Sequence, residues 1–415
     1  MPSTHTHPPP TTVDVAIIGG GVAGSALGAT LAAAGVDVAI VERETAFRDR
    51  IRGESIHSWG ARELATIGLL DVVVGEAGGL TLPLWLRYRD GVPGEPYAWT
   101  SDFPDALGEI SVAHPALQDA LLAEAAARGA HVLRPATARP LRVGGGPTIH
   151  VETATTSATI TCRLLVGADG QRSPLRRWLG GAGHRDPIHH AIGGTLLAGL
   201  HLDVSTVHQT YFQGGFAMIF PQEGGSARIY YVCGTDEADA LQRQPGPERM
   251  VERVAAALPS GLLDGWRPAG PTGFFPNADI VSDVIAGDGV VLIGDAAGAN
   301  DPSQGHGLSL VFRDVRELRD LLLGEDDWSE VPARFAARRG TYFEVLRQHA
   351  MWAGTLATET GPPADALREQ VARARELDPS AGGFAALYAL GPDGLVPDDA
   401  ARRHFFGEDL PIAAD

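Results

Sequence analysis

Three glycines and one carboxylate near the start of the chain have the spacing of a dinucleotide-binding turn. Gly19, Gly21 and Gly24 follow the apolar run 13–18. Glu42 closes a second apolar run about 20 residues later. Glycine allows a tight turn and a close approach of the backbone to a pyrophosphate, and a helix N-terminus favours negative charge. The pattern therefore predicts a βαβ unit whose acidic residue accepts the hydroxyls of an unphosphorylated ribose, as in FAD or NAD.

Two later segments place an aspartate at the end of an apolar strand. The first reads Leu-Val-Gly-Ala-Asp-Gly and includes Asp169, and the second reads Gly-Asp-Ala-Ala and includes Asp295. A carboxylate in such a position can accept hydrogen bonds from ligand hydroxyls. A helix is predicted from about 307 to 323. Its first backbone N–H groups, from Gly305 to Leu308, would point at an anionic ligand and stabilise it.

Together the three motifs resemble those of the para-hydroxybenzoate hydroxylase family, which are FAD-dependent monooxygenases. Pro302 and Asp314 also match the family's spacing around the helix beneath the flavin, and the resemblance spans almost the whole chain. It implies one extended FAD that runs from the N-terminal turn to the backbone amides around Gly307. It also implies that Asp295 binds the ribityl hydroxyls and that Asp169 serves both FAD and a transient NAD(P)H.

Basic residues after the second strand complete the expected cofactor site. By the resemblance, Arg50 and Arg52 lie beside the pyrophosphate, where guanidinium groups offset phosphate charge; a solvated surface is the alternative. Arg43 contacts either adenine or solvent. His114, where the family usually has arginine or glutamine, could donate to a phosphate or ribityl oxygen. The residues predicted to contact FAD are Gly19, Gly21, Gly24, Glu42, Arg43, Arg50, Arg52, His114, Asp169, Asp295, Gly305, Gly307 and Leu308.

The family's reaction has two halves. NAD(P)H reduces FAD, and the reduced flavin activates O2 as a C4a-hydroperoxide that hydroxylates or epoxidises a small electron-rich substrate of aromatic, indole or polyketide-like type. A separate flavin reductase is an alternative electron donor, and the protein is expected to be a monomer or homodimer. No catalytic base is predicted. Side chains predicted to line the substrate pocket, with ordinary core packing as the alternative, are His57, Trp59, Trp85, Tyr211, Phe216, Met218, Phe220, Gln304 and His306.

Some positions depart from the family pattern. Gly53, Glu54 and Ser55 replace a more apolar sequence and are similar to flavin halogenases and geranylgeranyl reductases. An FAD-dependent alkene reductase is therefore the main alternative, followed by a non-catalytic flavin-binding protein. A halogenase is disfavoured because the chain has no lysine and carries Phe-Ala-Met-Ile-Phe-Pro at 216–221 in place of the paired tryptophans. His306 replaces a glutamine and could either titrate near the flavin or serve a structural role.

The composition excludes several classes of partner. A net charge of −18 disfavours nucleic acid and anionic membranes. No apolar run approaches the roughly 20 residues that span a bilayer, so a soluble cytoplasmic protein is expected. Cys162 and Cys233 are predicted to be buried thiols. His184, His189 and His190 are predicted to lie in a surface loop without a metal, because their spacing matches no ligand pattern.

Apolar strands alternate with helices at both ends of the sequence, whereas the middle is rich in strands with aromatic residues. The predicted fold class is α/β, with a glutathione-reductase-type Rossmann domain, an inserted and mostly antiparallel β-sheet domain, and C-terminal helices. The predicted division is a disordered tail at 1–12, a discontinuous FAD-binding domain at 13–80, 101–185 and 285–360, a substrate-binding domain at 81–100 and 186–284, and a helical extension at 361–415.

Overall fold

A computed structural model describes residues 9–142, 144, 146–243, 246–383 and 385–409 of the chain. The strands, numbered in chain order, are β1 Thr12–Ile18, β2 Val38–Val41, β3 Ser55–Ile56, β4 Leu80–Leu82, β5 Leu84–Arg89, β6 Val92–Pro93, β7 Tyr97–Ala98, β8 Glu109–Ser111, β9 His131–Leu133, β10 Thr137–Leu141, β11 Thr148–Glu152, β12 Ser157–Gly167, β13 Gly183–Arg185, β14 His190–Ala198, β15 Thr206–Phe212, β16 Gly215–Gln222, β17 Ser226–Cys233, β18 Arg267–Asn277, β19 Ile280–Ser282, β20 Ala286–Gly287, β21 Val290–Leu292 and β22 Gly298–Ala299.

The α-helices are numbered in the same way. They are α1 Val22–Ala33, α2 Ser58–Thr66, α3 Trp99–Asp102, α4 His114–Ala127, α5 Pro174–Trp178, α6 Thr235–Gln242, α7 Glu248–Ala256, α8 Gly307–Gly324, α9 Val331–Thr358, α10 Pro362–Leu377, α11 Ala385–Leu390 and α12 Asp399–Phe405. None of the helices in the described part of the chain is both long and apolar enough to cross a membrane.

The first large sheet brings the three sequence motifs to one edge. Its strand order is β10-β11-β12-β1-β2-β9, and β21 pairs with β12 on a branch. Strand β1 runs parallel to both β2 and β12, and the last residues of β12 run parallel to β21. The carboxyl ends of β1, β12 and β21 therefore lie side by side, and the segments that follow them carry Gly19, Asp169 and Asp295.

Continuous apolar runs explain this sheet. In β1, Val15, Ala16 and Ile17 have no exposed surface, and all four residues of β2 are buried. Strands buried on both faces are typical of parallel sheets covered by helices on each side. Helices α1, α4 and α8 pack over one face, where Leu121 and Phe312 join the core that includes Ile17.

The second large sheet is antiparallel except for one pair of strands. Its order is β18-β14-β17-β16-β15-β5-β6, with β7 beside β5, and only β15 and β5 run parallel. The strands fall within 84–98 and 190–277. We propose this sheet as the substrate-binding domain and the first sheet as the core of the FAD-binding domain.

Several predicted boundaries were wrong. Strand β1 begins at Thr12, one residue inside the predicted tail, and residues 1–8 lie outside the described part. The helix predicted over 58–70 ends at Thr66, because Gly68 adopts a positive φ of 70° there, and a π-helical turn follows at Val72–Glu76. Cys162 and Cys233 lie buried in strands, as predicted.

Candidate active site

The N-terminal glycine turn is shaped to let a ligand approach the backbone. Gly19 has a φ of 106°, which side chains with a Cβ rarely adopt, and a Cβ on Gly24 would overlap the carbonyl oxygen of Gly19. A Cβ on Gly21, by contrast, would have its nearest neighbour, Gln118 Nε2, at 3.6 Å. The turn needs glycine at positions 19 and 24 for its own fold, and position 21 leaves an open space before α1.

Glu42 lies beside this turn, as the sequence predicts. Its Oε2 accepts the Gly20 N–H at 2.7 Å, and its Oε1 accepts the Glu44 N–H at 2.7 Å. Because each carboxylate oxygen can accept more than one hydrogen bond, the side chain is oriented and still has lone pairs for ribose hydroxyls. The contact with ribose stays a prediction.

The two motif aspartates are largely shielded from water. Asp169 Oδ2 accepts the Leu175 N–H at 3.1 Å, whereas its Oδ1 is buried and has no hydrogen-bond partner among the described residues. Burial raises the pKa of Asp169 and of Asp295, and for Asp295 the charges of Arg52 and Arg339 offset this only in part. An unsatisfied buried carboxylate oxygen beside the glycine turn fits the hydroxyl groups of a dinucleotide.

Helices α8 and α9 fix the turn that carries Asp295. Asp314 Oδ2 accepts the Gly294 N–H at 2.7 Å, and its Oδ1 accepts the hydroxyl of Tyr342 at 2.6 Å. Arg339 Nε donates to Asp314 at 3.0 Å, and its guanidinium also reaches the Gly298 carbonyl at 3.1 Å. Asp314, which the family resemblance marks, therefore acts here as a structural link.

Arg176 connects the other two motifs. Ser173 caps α5 by accepting the Arg176 N–H at 2.9 Å. The Arg176 side chain then donates to the carbonyl of Ala296 at 3.1 Å and to that of Gln171 at 2.7 Å. The Asp-Gly and Gly-Asp segments are thus tied into one rigid edge of the sheet.

The loop that carries the predicted phosphate-binding arginines is anchored to the second sheet. Glu54, which is buried, accepts two hydrogen bonds from Arg228 at 2.8 and 3.0 Å. Tyr230 donates its hydroxyl to the Arg52 carbonyl at 2.5 Å. Arg50 and Arg52 themselves are exposed. Their side chains are therefore accessible to a phosphate, and Glu54, one of the departures from the family pattern, has a structural role.

His114 has a different environment from the one expected of a phosphate donor. Its ring donates from Nδ1 to the Gly53 carbonyl at 2.9 Å. Burial lowers the pKa of His114 to about 4. The neutral ring keeps only Nε2 for a ligand, and in this tautomer Nε2 accepts a hydrogen bond. Contact with a ligand hydroxyl fits this chemistry better than the predicted donation to a phosphate.

A buried histidine cation lies against the turn that opens α8. His57 Nδ1 is 2.8 Å from Glu109 Oε1, and Nε2 is 2.8 Å from the Gln304 carbonyl oxygen. Both partners accept hydrogen bonds, so both ring nitrogens carry a proton. Burial opposes this charge, but Glu109 and the two hydrogen bonds outweigh burial and raise the pKa of His57. A Cβ on Gly305 would lie 3.1 Å from His57 Nε2, which shows how closely the ring approaches the turn.

His306 lies beside His57 but is neutral, whereas His57 is protonated. Their ring centroids are 4.9 Å apart. His306 has no exposed surface, and neither of its ring nitrogens has a hydrogen-bond partner among the described residues. Burial and the charges of His57 and His349 lower the pKa of His306 well below its usual value. A neutral imidazole with two unsatisfied nitrogens at the N-terminus of α8 fits a polar ligand that would bind there.

The C-terminal helices cover the buried histidine cluster formed by His57 and His306, since the ring of Tyr388 packs against both. Tyr388 on α11 donates its hydroxyl to Gln304 Oε1 at 2.8 Å. Its ring stacks on His306 at 5.2 Å and on Trp99 of the second sheet domain at 5.9 Å between centroids. The loop after α11 is held by Asp393, which accepts two hydrogen bonds from Arg313 of α8.

The predicted pocket residues fall into two groups. His57, Gln304 and His306 meet, and Trp59 is a buried neighbour of His306 at 6.3 Å. The second group belongs to the core of the other sheet: Trp85, Phe216, Met218 and Phe220 are buried there. Tyr211 is 47% exposed beside Phe216.

The sequence reasoning missed Glu109, His349 and Tyr388, which all contact the histidine cluster. Glu109 belongs to the three-residue strand β8, and Tyr388 lies 84 residues after its partner Gln304. The prediction that His190 lies in a surface loop was wrong, because it begins β14 and is fully buried. One signal was present for Glu109, which opens the short strand β8. A charged residue within a buried strand is notable because such residues are almost never fully buried unless they are paired.

Comparison with known proteins agrees with this geometry. The family of FAD binding domains matches residues 12–324. The chain belongs to this family. It is 29% identical over 358 residues to a menaquinone reductase of Mycobacterium tuberculosis, covering 81% of this chain and 83% of the relative. It is 26% identical to a rifampicin monooxygenase of Streptomyces venezuelae, covering 85% and 73%.

The fold is also found in solved structures. The p-nitrophenol 4-monooxygenase PnpA of Pseudomonas putida superposes with a TM-score of 0.74 at 20% identity, covering 86% of this chain and 92% of that one. The predicted α/β fold and the predicted family are therefore confirmed. The protein is an FAD-dependent oxidoreductase of the monooxygenase family, and NAD(P)H is the typical reductant of such enzymes.

Proposed function

We propose that the protein uses O2 and NAD(P)H to insert one oxygen atom into a small electron-rich substrate. The observation that carries this proposal is the His57 cation at the N-terminus of α8. The ring is hydrogen-bonded to Glu109 and to Gln304, and it lies between the Glu109 carboxylate and the turn that opens α8. The positive end of this ion pair and the first amides of α8 therefore face the same point. Bound FAD supplies the electrons and the activation of oxygen, and both steps develop negative charge that such a site stabilises.

The aromatic enclosure supports oxygen chemistry for a second reason. Tyr388 stacks on Trp99 and on His306, so that the three rings form one continuous column beside His57. Buried rings exclude water from the site, and water would otherwise destroy a reactive oxygen species before the substrate is attacked. The residues of the chain therefore orient the substrate, exclude water and hold a proton at each nitrogen of His57.

Two tryptophans beside the histidine cluster indicate the type of substrate. The indole nitrogens of Trp59, next to His306, and of Trp99, stacked on Tyr388, are buried and have no hydrogen-bond partner among the described residues. Each is a donor only, so a substrate that satisfies them carries a hydrogen-bond acceptor on an otherwise apolar body. An aromatic, indole or polyketide-like compound with a carbonyl or hydroxyl group has this character.

The test is an isotope experiment with the purified holoenzyme. FAD is reduced with NADPH or NADH without air, and ¹⁸O2 is then admitted with candidate phenols, indoles and alkenes. We expect one ¹⁸O atom in the product and accelerated NAD(P)H oxidation. Product formation without ¹⁸O, or under strict exclusion of oxygen, would reject the monooxygenase proposal.

A flavin-dependent alkene reductase is the second candidate. It is favoured by the similarity to menaquinone reductase and by the polar segment that includes Glu54. In that case the reduced enzyme should saturate a carbon–carbon double bond of an alkene substrate in the absence of O2. The same anaerobic arm of the isotope experiment therefore separates the two functions.

A further inference from the structure

His189, His190 and Asp301 form a chain of polar groups from the surface to the flavin-binding stretch. His190 Nε2 lies 3.2 Å from Asp301 Oδ2, and His190 Nδ1 lies 2.5 Å from His189 Nδ1. His190 and Asp301 are buried, whereas His189 is exposed. Asp301 directly precedes Pro302, and the 3-10 turn Pro302–Gln304 leads into α8.

The geometry of His190 favours a relay over a metal site. The ligand atoms of the three side chains lie within 4.8 Å of one another. Two nitrogens that bind one zinc ion tetrahedrally at about 2.0 to 2.1 Å lie about 3.3 Å apart. The Nδ1 atoms of His189 and His190 are only 2.5 Å apart, so they cannot both bind one ion without moving. Helix α9 packs closely against both rings, since a Cβ on Gly354 would lie 3.1 Å from His189 Cε1 and 3.4 Å from His190 Cε1.

The charges around these three residues keep His189 neutral and Asp301 ionised at rest. Burial opposes ionisation of Asp301, but His190 and the Ser303 N–H outweigh it and lower the carboxyl pKa. Burial, together with the charge of His190, lowers the pKa of His189, while Asp301 opposes this. The other acidic groups that act on His189 or Asp301 are Asp186 and Glu359, with Asp279 beside Asp301 and its own pKa raised by burial to about 7.

We propose that His189, His190 and Asp301 are a proton relay between solvent and the flavin site. The inference rests on the proposed function, since both candidate reactions take up one proton: NAD(P)H, H⁺, O2 and substrate give NAD(P)⁺, water and hydroxylated substrate. His189 Nε2 takes a proton from water, and its Nδ1 proton passes to His190 Nδ1. His190 Nε2 lies 3.2 Å from Asp301 without the alignment of a hydrogen bond, so a small tilt of the ring precedes release of its proton to Asp301. Asp301 would then give up this proton to the reaction at the bound flavin and become ionised again. Each imidazole gains one proton and loses one, so its charge is restored after each passage.

The first test observes the central hydrogen bond directly. In holoenzyme labelled with ¹⁵N-histidine, an N–H···N bond between the two Nδ1 atoms produces a scalar coupling across the hydrogen bond. We expect this coupling in the wild type and its loss in His189→Gln. Absence of the coupling in the wild type, or its replacement by metal coordination when Zn²⁺ is added at one equivalent, would overturn the relay.

The second test follows reoxidation of the reduced holoenzyme by O2 without an organic substrate. This reaction consumes one proton: FADH⁻, O2 and H⁺ give FAD and H2O2. We expect His190→Gln and Asp301→Asn to slow it at least tenfold and to abolish its dependence on pH and its solvent deuterium isotope effect. His189→Ala should be rescued by added imidazole, because this side chain is exposed.

Controls separate the relay from a structural tie between the two sheets. His184→Gln changes a histidine whose side chain is 78% exposed on β13, and it should leave the pH profile unchanged. If His190→Gln lowers the melting temperature but keeps the wild-type pH profile and isotope effect, then His189, His190 and Asp301 have only a structural role. Because no organic substrate is present, failure of oxygen insertion into substrates would reject the proposed function without changing this result.

Discussion

The glycine turn of the first sheet and the histidine cluster at α8 differ in how far along the sequence their polar groups find partners. At the turn, Glu42 bonds to the backbone of Gly20 and Glu44, all within one βαβ unit. At the cluster, His57 depends on Glu109 and Gln304, which are 52 and 247 residues away in the chain. Local backbone contacts therefore specify the proposed adenosine end of the site, whereas long-range tertiary contacts specify its proposed reactive end.

The largest effect is expected from a change in the turn. Gly24→Ala places a Cβ onto the Gly19 carbonyl, and backbone atoms cannot yield without opening the βαβ unit. We expect a protein that binds no FAD and melts well below the wild type. Flavin absorbance per chain and thermal unfolding of the purified protein measure the two effects.

Two other glycines act as matched controls for this change. Gly21→Ala has room for its methyl group within the protein, so it should preserve the melting temperature of the apoprotein and weaken only FAD binding. Gly340→Ala lies in α9 with nothing within 4 Å of the new Cβ and should alter neither property. Loss of folding in Gly21→Ala would contradict the view that this position serves the ligand.

This contrast also explains how much could be predicted from the sequence. The turn and the two motif aspartates follow the ends of strands β1, β12 and β21, as predicted, because glycine sterics and strand ends leave a local pattern of residues. The contacts of these residues and of Glu42 with FAD stay predictions. The position of the second sheet followed from its runs of aromatic and β-branched residues. Boundaries were less accurate, as with the helix that ends at Thr66.

The partners of the histidine cluster leave no local pattern in the sequence. Glu109 lies in a three-residue strand, and Tyr388 lies in a six-residue helix near the C-terminus. Their role depends on how β8 and α11 pack against α8, which is a tertiary property. His190 was misplaced for the same reason, since the sequence does not show that Asp301, 111 residues later, lies next to it.

The second prediction tests the long-range pairing. Glu109→Gln removes the counter-charge of a buried imidazolium, and breaking such a pair by removing one partner costs about 3 to 5 kcal/mol. His57 should escape most of this cost by releasing a proton. The variant then loses one negative and one positive charge, but the positive one is the nearer to the turn at Gly305. The two-electron reduction potential of bound FAD should therefore drop, by about 30 mV for each 1.4 kcal/mol of lost interaction. Potentiometric titration of the bound flavin measures this change.

A surface ion pair is the matched control. Glu124→Gln breaks the pair that Glu124 makes with Arg128 within α4, where the two side chains are 27% and 23% exposed. It should cost less than about 1 kcal/mol and leave the flavin potential unchanged. An unchanged potential in Glu109→Gln as well would mean that His57 is neutral or remote from the flavin.

The same pairing should make stability depend on pH. The folded-state pKa of His57 is raised above its model-peptide value of 6.5, so its contribution is complete below that value and is lost as pH rises through the folded-state pKa. The difference in unfolding free energy between the wild type and His57→Gln should therefore be largest in mild acid and shrink in alkaline solution. Urea unfolding at several pH values follows this difference.

The smallest effect on stability is expected where α11 contacts the histidine cluster. Tyr388→Phe removes the hydroxyl that bonds Gln304 but keeps the ring stacked on His306 and Trp99. A net loss of about 0.5 to 1.5 kcal/mol is expected, with FAD content unchanged. Tyr97→Phe, which loses a more exposed bond to Asp102, should cost less.

Tyr388→Phe is nevertheless the most discriminating change for the reactive end of the site. If enclosure by α11 excludes water, the variant should release more hydrogen peroxide for each molecule of product formed, because more NAD(P)H oxidation is uncoupled from oxygen insertion. Its FAD should remain bound. If it instead lost FAD to the same extent as Gly24→Ala, the cluster and the turn would form a single binding unit. The separation between a locally specified adenosine end and a tertiary reactive end would then be wrong.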